Sequence, residues 1–279
     1  MAKKWSGLAV RVLTAAVALP IVLLLIWRPE LRPAFALFIG VLVAIGLYEY
    51  YAIVRTSNIS PETIGGILSG TAVALSGYYN SLTLTGLALY GGCLLVAALH
   101  IVRGQHSVAG LASSVFGVLY LGWFPAHVNL LLSEPVIGPG LVTILIVAVV
   151  LTDTGAYFAG SLLGRHKLAP KVSPNKTWEG AVGGVAVALA GMAVLYKLAP
   201  SFEALPDWQL LRYLHIGATL SVAAQIGDLA ESCLKRDAGV KDSGNLFPGH
   251  GGMLDRCDGL LFAAPVMYYL HAVAPVAAN

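Results

Sequence analysis

Charge is scarce in this chain. Asp, Glu, Lys and Arg make up 11% of its 279 residues while 57% are hydrophobic, whereas an ordinary soluble domain is roughly a quarter charged. Water is therefore not the solvent for most of its surface. Cysteine is almost absent as well: Cys93, Cys233 and Cys257 lie in apolar or basic surroundings and form no CxxC pair. Nothing points to a zinc site or a redox couple, and all three read as packing residues. The chain has no repeat of fixed period, no low-complexity tract and no long linker. Its start carries Lys3, Lys4, Arg11 and Pro20 in an apolar run too long for a signal-peptide core, and lacks a convincing small-residue cleavage site. It reads as a first membrane helix.

What is abundant is apolar sequence in runs of about 17–25 residues, the length that crosses the hydrocarbon core as a helix. They fall at 8–27, 33–54, 63–79, 82–102, 108–132, 140–163, 178–199, 210–230 and 259–276. The predicted fold is all-α, a polytopic integral membrane protein with about nine transmembrane helices. Glycines within the runs, such as Gly65, Gly66 and Gly70 or Gly180, Gly183 and Gly184, let helix backbones approach closely in a bilayer. Pro20 and Pro125 mark expected kinks.

If nine spans alternate, one side receives Lys3, Lys4, Arg11, Arg55, Arg103, Arg165, Lys167, Lys171, Lys176, Lys235, Arg236, Lys241 and Arg256, and the other only Arg28, Arg32, Lys197 and Arg212. The positive-inside rule then puts the N-terminus in the cytoplasm and the C-terminus outside. Polarity also divides the chain in two. Residues 1–139 are expected to supply about five helices for packing and oligomerisation, and 140–279 about four helices with two cytoplasmic polar loops that carry the chemistry. The net charge of +3 is modest, and no nucleic-acid partner is expected.

Residues 227–258 mix carboxylates, cations and glycines between two apolar runs. Phosphoryl or nucleotidyl chemistry needs that mixture: hard oxygen ligands for Mg²⁺, cations for phosphate, and backbone that can approach a polyanion. Asp228 and Glu231 are three apart, as are Asp255 and Asp258, so each pair shares a helix face. Converging carboxylates at this density repel one another, and a divalent ion relieves the repulsion. The alternative is a solvated charged loop paired with Lys235, Arg236 and Arg256. His250, among Pro248, Gly249, Gly251 and Gly252, stands where backbone N–H groups can cradle an anion.

A second polar segment, 164–180, lies on the same expected face. Ser173, Lys176 and Thr177 just precede a helix, whose N-terminus favours phosphate. Arg165, Lys167 and Lys171 read instead as anchors to anionic lipid heads. Asp153 interrupts an apolar run, where an ionised carboxylate costs roughly 2.5–3.5 kcal/mol, and so is expected to face a polar cavity. Glu49 reads as interfacial. His100, His106, His127, His215 and His271 occur singly, without ligand spacing, and are read as structural.

The polar positions resemble those of the bacterial CDP-diglyceride synthetases, or phosphatidate cytidylyltransferases. The resemblance rests on Ser232-Cys-Leu-Lys-Arg236, Lys241-Asp242, Pro248-Gly-His-Gly-Gly252 and Asp255-Arg-Cys-Asp258, with support from Asp153-Thr-Gly-Ala-Tyr157 and Ser173-Pro-Asn-Lys-Thr-Trp-Glu-Gly180. It covers the second half of the chain, while the first half matches only in being apolar and multi-helical. The resemblance implies attack of a phosphatidic acid (phosphatidate) oxygen on the α-phosphorus of CTP, giving CDP-diacylglycerol and pyrophosphate at the cytoplasmic face of the bacterial inner membrane. It implies Mg²⁺ on Asp228, Asp255 and Asp258 with Glu231 as a further ligand, and a second monovalent cation such as K⁺. Lys235, Arg236, Lys241 and Lys176 would hold phosphate oxygens. Ser173, Asn175, Thr177, Asp153, Asp242, His250, Gly251, Gly252 and Arg256 complete the expected substrate site. A homodimer among membrane lipids is the expected assembly.

Two other readings remain open at this level. A CTP-dependent polyprenol or phytol kinase would share the membrane helices, but the complete Lys-Asp to Asp-Arg-x-Asp pattern argues against it. A secondary transporter would suit nine helices and Asp153, but its halves should be related, and here they differ sharply in polarity.

Overall fold

Residues 20–104, 106–244 and 251–273 are described by the computed structural model. Most of the expected first span, with Lys3, Lys4 and Arg11, lies outside the described residues, and so does His250 with Pro248 and Gly249. The described chain is overwhelmingly helical. Residues 20–27 (α1) are followed by α2 (Arg32–Thr56), α3 (Thr63–Ser76), α4 (Leu82–Val102), α5 (Val108–Gly117), α6 (Phe124–Leu132), α7 (Gly138–Leu163), α8 (Trp178–Leu198), α9 (Leu210–Asp237) and α10 (Leu254–Val273). Side-chain oxygens mark several starts: Glu62, Ser81, Ser107 and Thr177 each accept a backbone N–H from the first turn that follows, satisfying donors that the helix itself leaves free.

Five helical stretches among the described residues are long and apolar enough to cross a membrane: Pro29–Thr56, Leu82–Val102, Val108–Leu132, Gly138–Leu163 and Trp178–Ser201. Their outer faces expose large apolar side chains, among them Leu37, Leu87, Leu94, Val102, Leu162 and Val182. A water-soluble monomer rarely shows apolar surface on this scale, and a lipid-facing surface requires it. The chain is an all-α polytopic membrane protein. Helix α9 is more polar than these five. Its 28 residues extend about 42 Å, well beyond a hydrocarbon core of about 30 Å, and the surplus is the polar end from Asp228 to Asp237.

The run at 108–132 is helical throughout but not uniform. Val118–Trp123 forms a π-helical segment between α5 and α6. Pro125 lies in the first turn of α6, and its missing N–H leaves an upstream carbonyl without its α-helical donor. The expected irregularity is thus absorbed as a π segment. The other unanticipated element is a short antiparallel hairpin of β1 (Lys167–Ala169) and β2 (Ser173–Thr177), with Lys167 opposite Thr177 and Ala169 opposite Ser173. It occupies the polar segment that the sequence marks only as a loop.

Helices α7 and α8 pack through small residues. A Cβ at Gly184 would stand 2.8 Å from the Thr152 carbonyl oxygen, one at Gly180 2.9 Å from that of Ala156, and one at Gly155 2.8 Å from that of Gly183. The two halves of the chain share their core: Ile26 and Phe35 pack in one cluster with Leu141, Leu145 and Met267, and Leu47, Tyr50 and Tyr51 in another with Leu254 and Leu261. Cys93 and Cys257 are half-buried as packing residues should be, but Cys233 is exposed on α9, a correction to its reading from sequence.

Candidate active site

The end of α7, strand β2, the start of α8 and the polar end of α9 enclose a cavity of about 510 Å³ lined by Asp153, Tyr157, Asn175, Lys176, Thr177, Gln225 and Asp228 among others. The close α7–α8 approach sets one wall. Thr177 caps α8, its hydroxyl accepting the Gly180 N–H at 3.1 Å, and this fixes the preceding Lys176 at the cavity edge. Lys176 Nζ lies 2.6 Å from Asp228 Oδ2. Asp153 and Asp258 are both within electrostatic reach of Asp228 and of Lys176. One carboxylate thus contacts this ammonium and two more feel its charge. Helices α9 and α10 touch here, for a Cβ on Gly227 would lie 2.5 Å from the Asp258 carbonyl oxygen.

The other two expected carboxylates are held by a second lysine, with Glu231 in electrostatic reach of Asp258. Lys235 Nζ lies 2.5 Å from Glu231 Oε2 and 2.5 Å from Asp255 Oδ1, with Glu231 wholly buried. Asp255 Oδ2 also accepts the backbone N–H groups of Ser243 (2.9 Å) and Gly252 (2.8 Å) and the Ser243 hydroxyl (2.8 Å). Asp255 sits in the first turn of α10, ahead of the apolar run. Burial raises its carboxyl pKa, but Lys235 and these N–H donors outweigh that and hold it below the usual range. Of the four carboxylates, Asp228 pairs with Lys176, with Asp258 in electrostatic reach of both, while Glu231 and Asp255 pair with Lys235. No group of three or more Asp, Glu, His or Cys among the described residues could hold a metal ion unaided.

The remaining sequence candidates scatter around these two clusters. Arg236 uses Nε to donate to the Val172 carbonyl (3.2 Å) and Nη1 to that of Val240 (3.0 Å), tying the end of α9 to the hairpin. Lys241 and Asp242 are exposed beyond α9, Arg256 is exposed on α10, and Ser173 is half-buried on β2. Gly251 has φ +79, and a Cβ there would meet Asp255 Oδ2 at 2.7 Å, so both conformation and space demand glycine.

Two features escaped the sequence. Glu49 is buried in the protein, 6% exposed, and accepts the N–H groups of Met253 and Leu254, both at 3.0 Å, because the α10 N-terminus is packed against α2. Gln225 lines the cavity and donates to the Ala181 carbonyl at 3.3 Å. An uncharged polar residue in an apolar run was its only signal.

A cavity that pairs a lysine with carboxylates suits a polyphosphate, and the comparisons with known proteins point to a nucleotide-using enzyme. The cytidylyltransferase family profile matches residues 9–274. The chain belongs to the cytidylyltransferase family. Relatives within or near this family include the phosphatidate cytidylyltransferase of Brucella suis, 37% identical over 270 residues, 96% of this chain and 94% of the relative. That of Bacillus subtilis is 34% identical over 271 residues, covering 94% and 97%, and that of Pseudomonas aeruginosa 38% identical over 264, covering 92% and 94%. As a cytidylyltransferase-family enzyme, the chain must bind a nucleoside triphosphate. Asp153 and Asp228 in the cavity wall, with Asp258 in electrostatic reach, offer only hard oxygens, the donor type that a divalent ion accompanying such a substrate would use.

Proposed function

We propose that this protein is a phosphatidate cytidylyltransferase of the bacterial inner membrane, acting on its cytoplasmic face. A phosphatidate phosphate oxygen attacks the α-phosphorus of CTP. The bond from that phosphorus to the β-phosphate bridging oxygen breaks, its electron pair leaves with pyrophosphate, and CDP-diacylglycerol remains in the bilayer. No covalent enzyme intermediate is needed, so the protein's part is positioning and charge neutralisation.

The observation that carries this reading is the Lys176–Asp228 pair in a polar cavity at the ends of apolar helices, in a chain of this family. CTP arrives from water while phosphatidate keeps its tails in lipid, so the reaction needs a polar pocket at the membrane rim. Lys176 releases Asp228 and turns to a phosphate oxygen when the triphosphate enters. Asp228 and Asp258, with Asp153 nearby, would hold Mg²⁺, which neutralises developing phosphate charge when bound. Asn175 and Gln225 offer hydrogen bonds from the cavity wall. Lys235, held by two acids, keeps Glu231 and Asp255 in place beside the site, and Arg236 keeps the hairpin against α9.

Purified protein in detergent, given phosphatidate, Mg²⁺ and CTP labelled in the cytidine or in the γ-phosphate, tests the proposal. Cytidine label is expected in the lipid fraction and γ-label in pyrophosphate. Lipid carrying the γ-label and no cytidine would identify a kinase and end this reading.

A further inference from the structure

Helix α10 begins at Leu254, and the N–H groups around its first turn have a complete set of partners. Gly252 N–H goes to Asp255 Oδ2 (2.8 Å), Met253 N–H to Glu49 Oε1 (3.0 Å), Leu254 N–H to Glu49 Oε2 (3.0 Å) and Asp255 N–H to Ser243 Oγ (3.4 Å). The usual cap is a residue just before the helix. Here two of four donors are taken by a carboxylate about two hundred positions earlier in the chain, on α2.

We propose that Glu49 is a positioning residue of the transfer reaction: from α2 it clamps the N-terminus of α10, and so sets where Asp255 and Asp258 stand. The inference rests on the function proposed above. Both carboxylate oxygens are used, one per N–H, so the grip fixes orientation as well as distance. The Ser243 hydroxyl lies 3.2 Å from Glu49 Oε2 and 2.8 Å from Asp255 Oδ2; with one proton to give, it links the clamp to the acid that also holds Lys235. The negative charge of Glu49 also sits at the positive end of the α10 dipole.

Space around the carboxylate has been kept for it. A Cβ on Gly244 would lie 2.5 Å from Glu49 Oε1, and one on Gly252 2.5 Å from Oε2, so both glycines admit Glu49 to the backbone. With its N–H groups spent on Glu49, Asp255 and Ser243, this end of α10 is not a phosphate cradle. Its task is to present Asp258, one helical turn further on, toward Asp228.

Glu49→Gln tests the clamp with little change in volume: it keeps one oxygen acceptor and sets an NH₂ against an N–H donor. Glu49→Asp keeps the charge but shortens the reach. Two readouts are taken on purified protein in lipid nanodiscs. In hydrogen exchange, the peptide holding Met253 and Leu254 should exchange at least about tenfold faster in Glu49→Gln, while peptides of α7 and α8 stay as in the wild type. In cytidine transfer, kcat should fall about 10–100-fold, the loss that misplacing catalytic groups brings, with KM for CTP within about twofold, and Glu49→Asp should recover part of the loss. Unchanged exchange at 253–254, or wild-type kcat with only a lower melting temperature, would overturn the proposal. A wild-type protein that transfers no cytidine would defeat the assigned function instead, and the exchange experiment would still decide whether Glu49 holds α10.

Discussion

Two lysines organise the candidate site, and each answers to more than one acid. Lys176 reaches Asp228 with Asp153 and Asp258 close by, and Lys235 joins Glu231 to Asp255. They differ in burial: Lys176 retains 25% of its side-chain exposure and Lys235 11%. We expect Lys176, in the cavity wall with one acid in contact, to be the lysine a substrate recruits, and Lys235, held between two acids, to be structural. Two predictions follow from that difference. Asp258→Asn removes charge and almost no volume, so turnover should drop by about 10²–10³-fold, the scale of a lost electrostatic stabiliser, while the melting temperature in detergent stays near wild type. A variant retaining near-normal activity at limiting Mg²⁺ would take Asp258 out of the site. Lys235→Met strands two acids, one wholly buried, and breaking such a pair costs about 3–5 kcal/mol. The protein should melt far lower, and adding Glu231→Gln should restore part of the loss, because the two changes share one interaction. Strict additivity in that cycle would show that Glu231 and Lys235 do not depend on each other.

Helices were legible as elements because the bilayer dictates the length of an apolar run and forces its backbone to bond internally. The boundaries expected at 82–102 are those of α4, and those at 33–54 and 178–199 differ from α2 and α8 by one or two residues. The hairpin at Lys167–Thr177 was not legible, since it is held by tertiary bonds such as Arg236 to Val172 and by Glu179, which accepts the N–H groups of Arg165 and His166. No alternation of apolar residues announces it. The glycines of α7 and α8 were legible as packing signals, and their consequence is testable. Gly184→Leu should push α8 from the Thr152 carbonyl and cost about 1–3 kcal/mol as overpacking, with a raised KM for CTP because Asp153 and Lys176 sit on the elements forced apart. Gly86→Leu on α4, where a Cβ meets nothing within 4 Å, is the control and should leave both quantities unchanged.

At the scale of the molecule, the polar helix ends are stitched together. Thr56 at the end of α2 donates to the Ala238 carbonyl beyond α9, Arg236 joins α9 to the hairpin, Arg55 reaches Thr63 at the start of α3, and Arg103 beyond α4 pairs with buried Glu62 at 2.6 Å. Arg55, Arg103 and Arg236 are among the cations that the count of positive residues assigns to one side of the membrane. Four of the acids crowd into one polar segment and can be read there as a set, while Asp153 lies apart in an apolar run. How the four stand to Lys176 and Lys235 was not legible, because it depends on which face of α9 meets the hairpin and which meets α10. Glu49 was hidden for the same reason: nothing near Tyr48 or Tyr50 tells of a helix terminus two hundred residues away. The side of the membrane on which this polar end lies can be read directly. In a chain whose three cysteines are replaced by alanine, Lys171→Cys in the hairpin and Lys197→Cys at the far end of α8 report opposite ends of one helix. A membrane-impermeant maleimide should label Lys171→Cys in inverted vesicles and not in intact cells, and Lys197→Cys the other way round. Labelling of Lys171→Cys from outside would turn the molecule over, and would set its cavity facing away from the compartment that holds CTP.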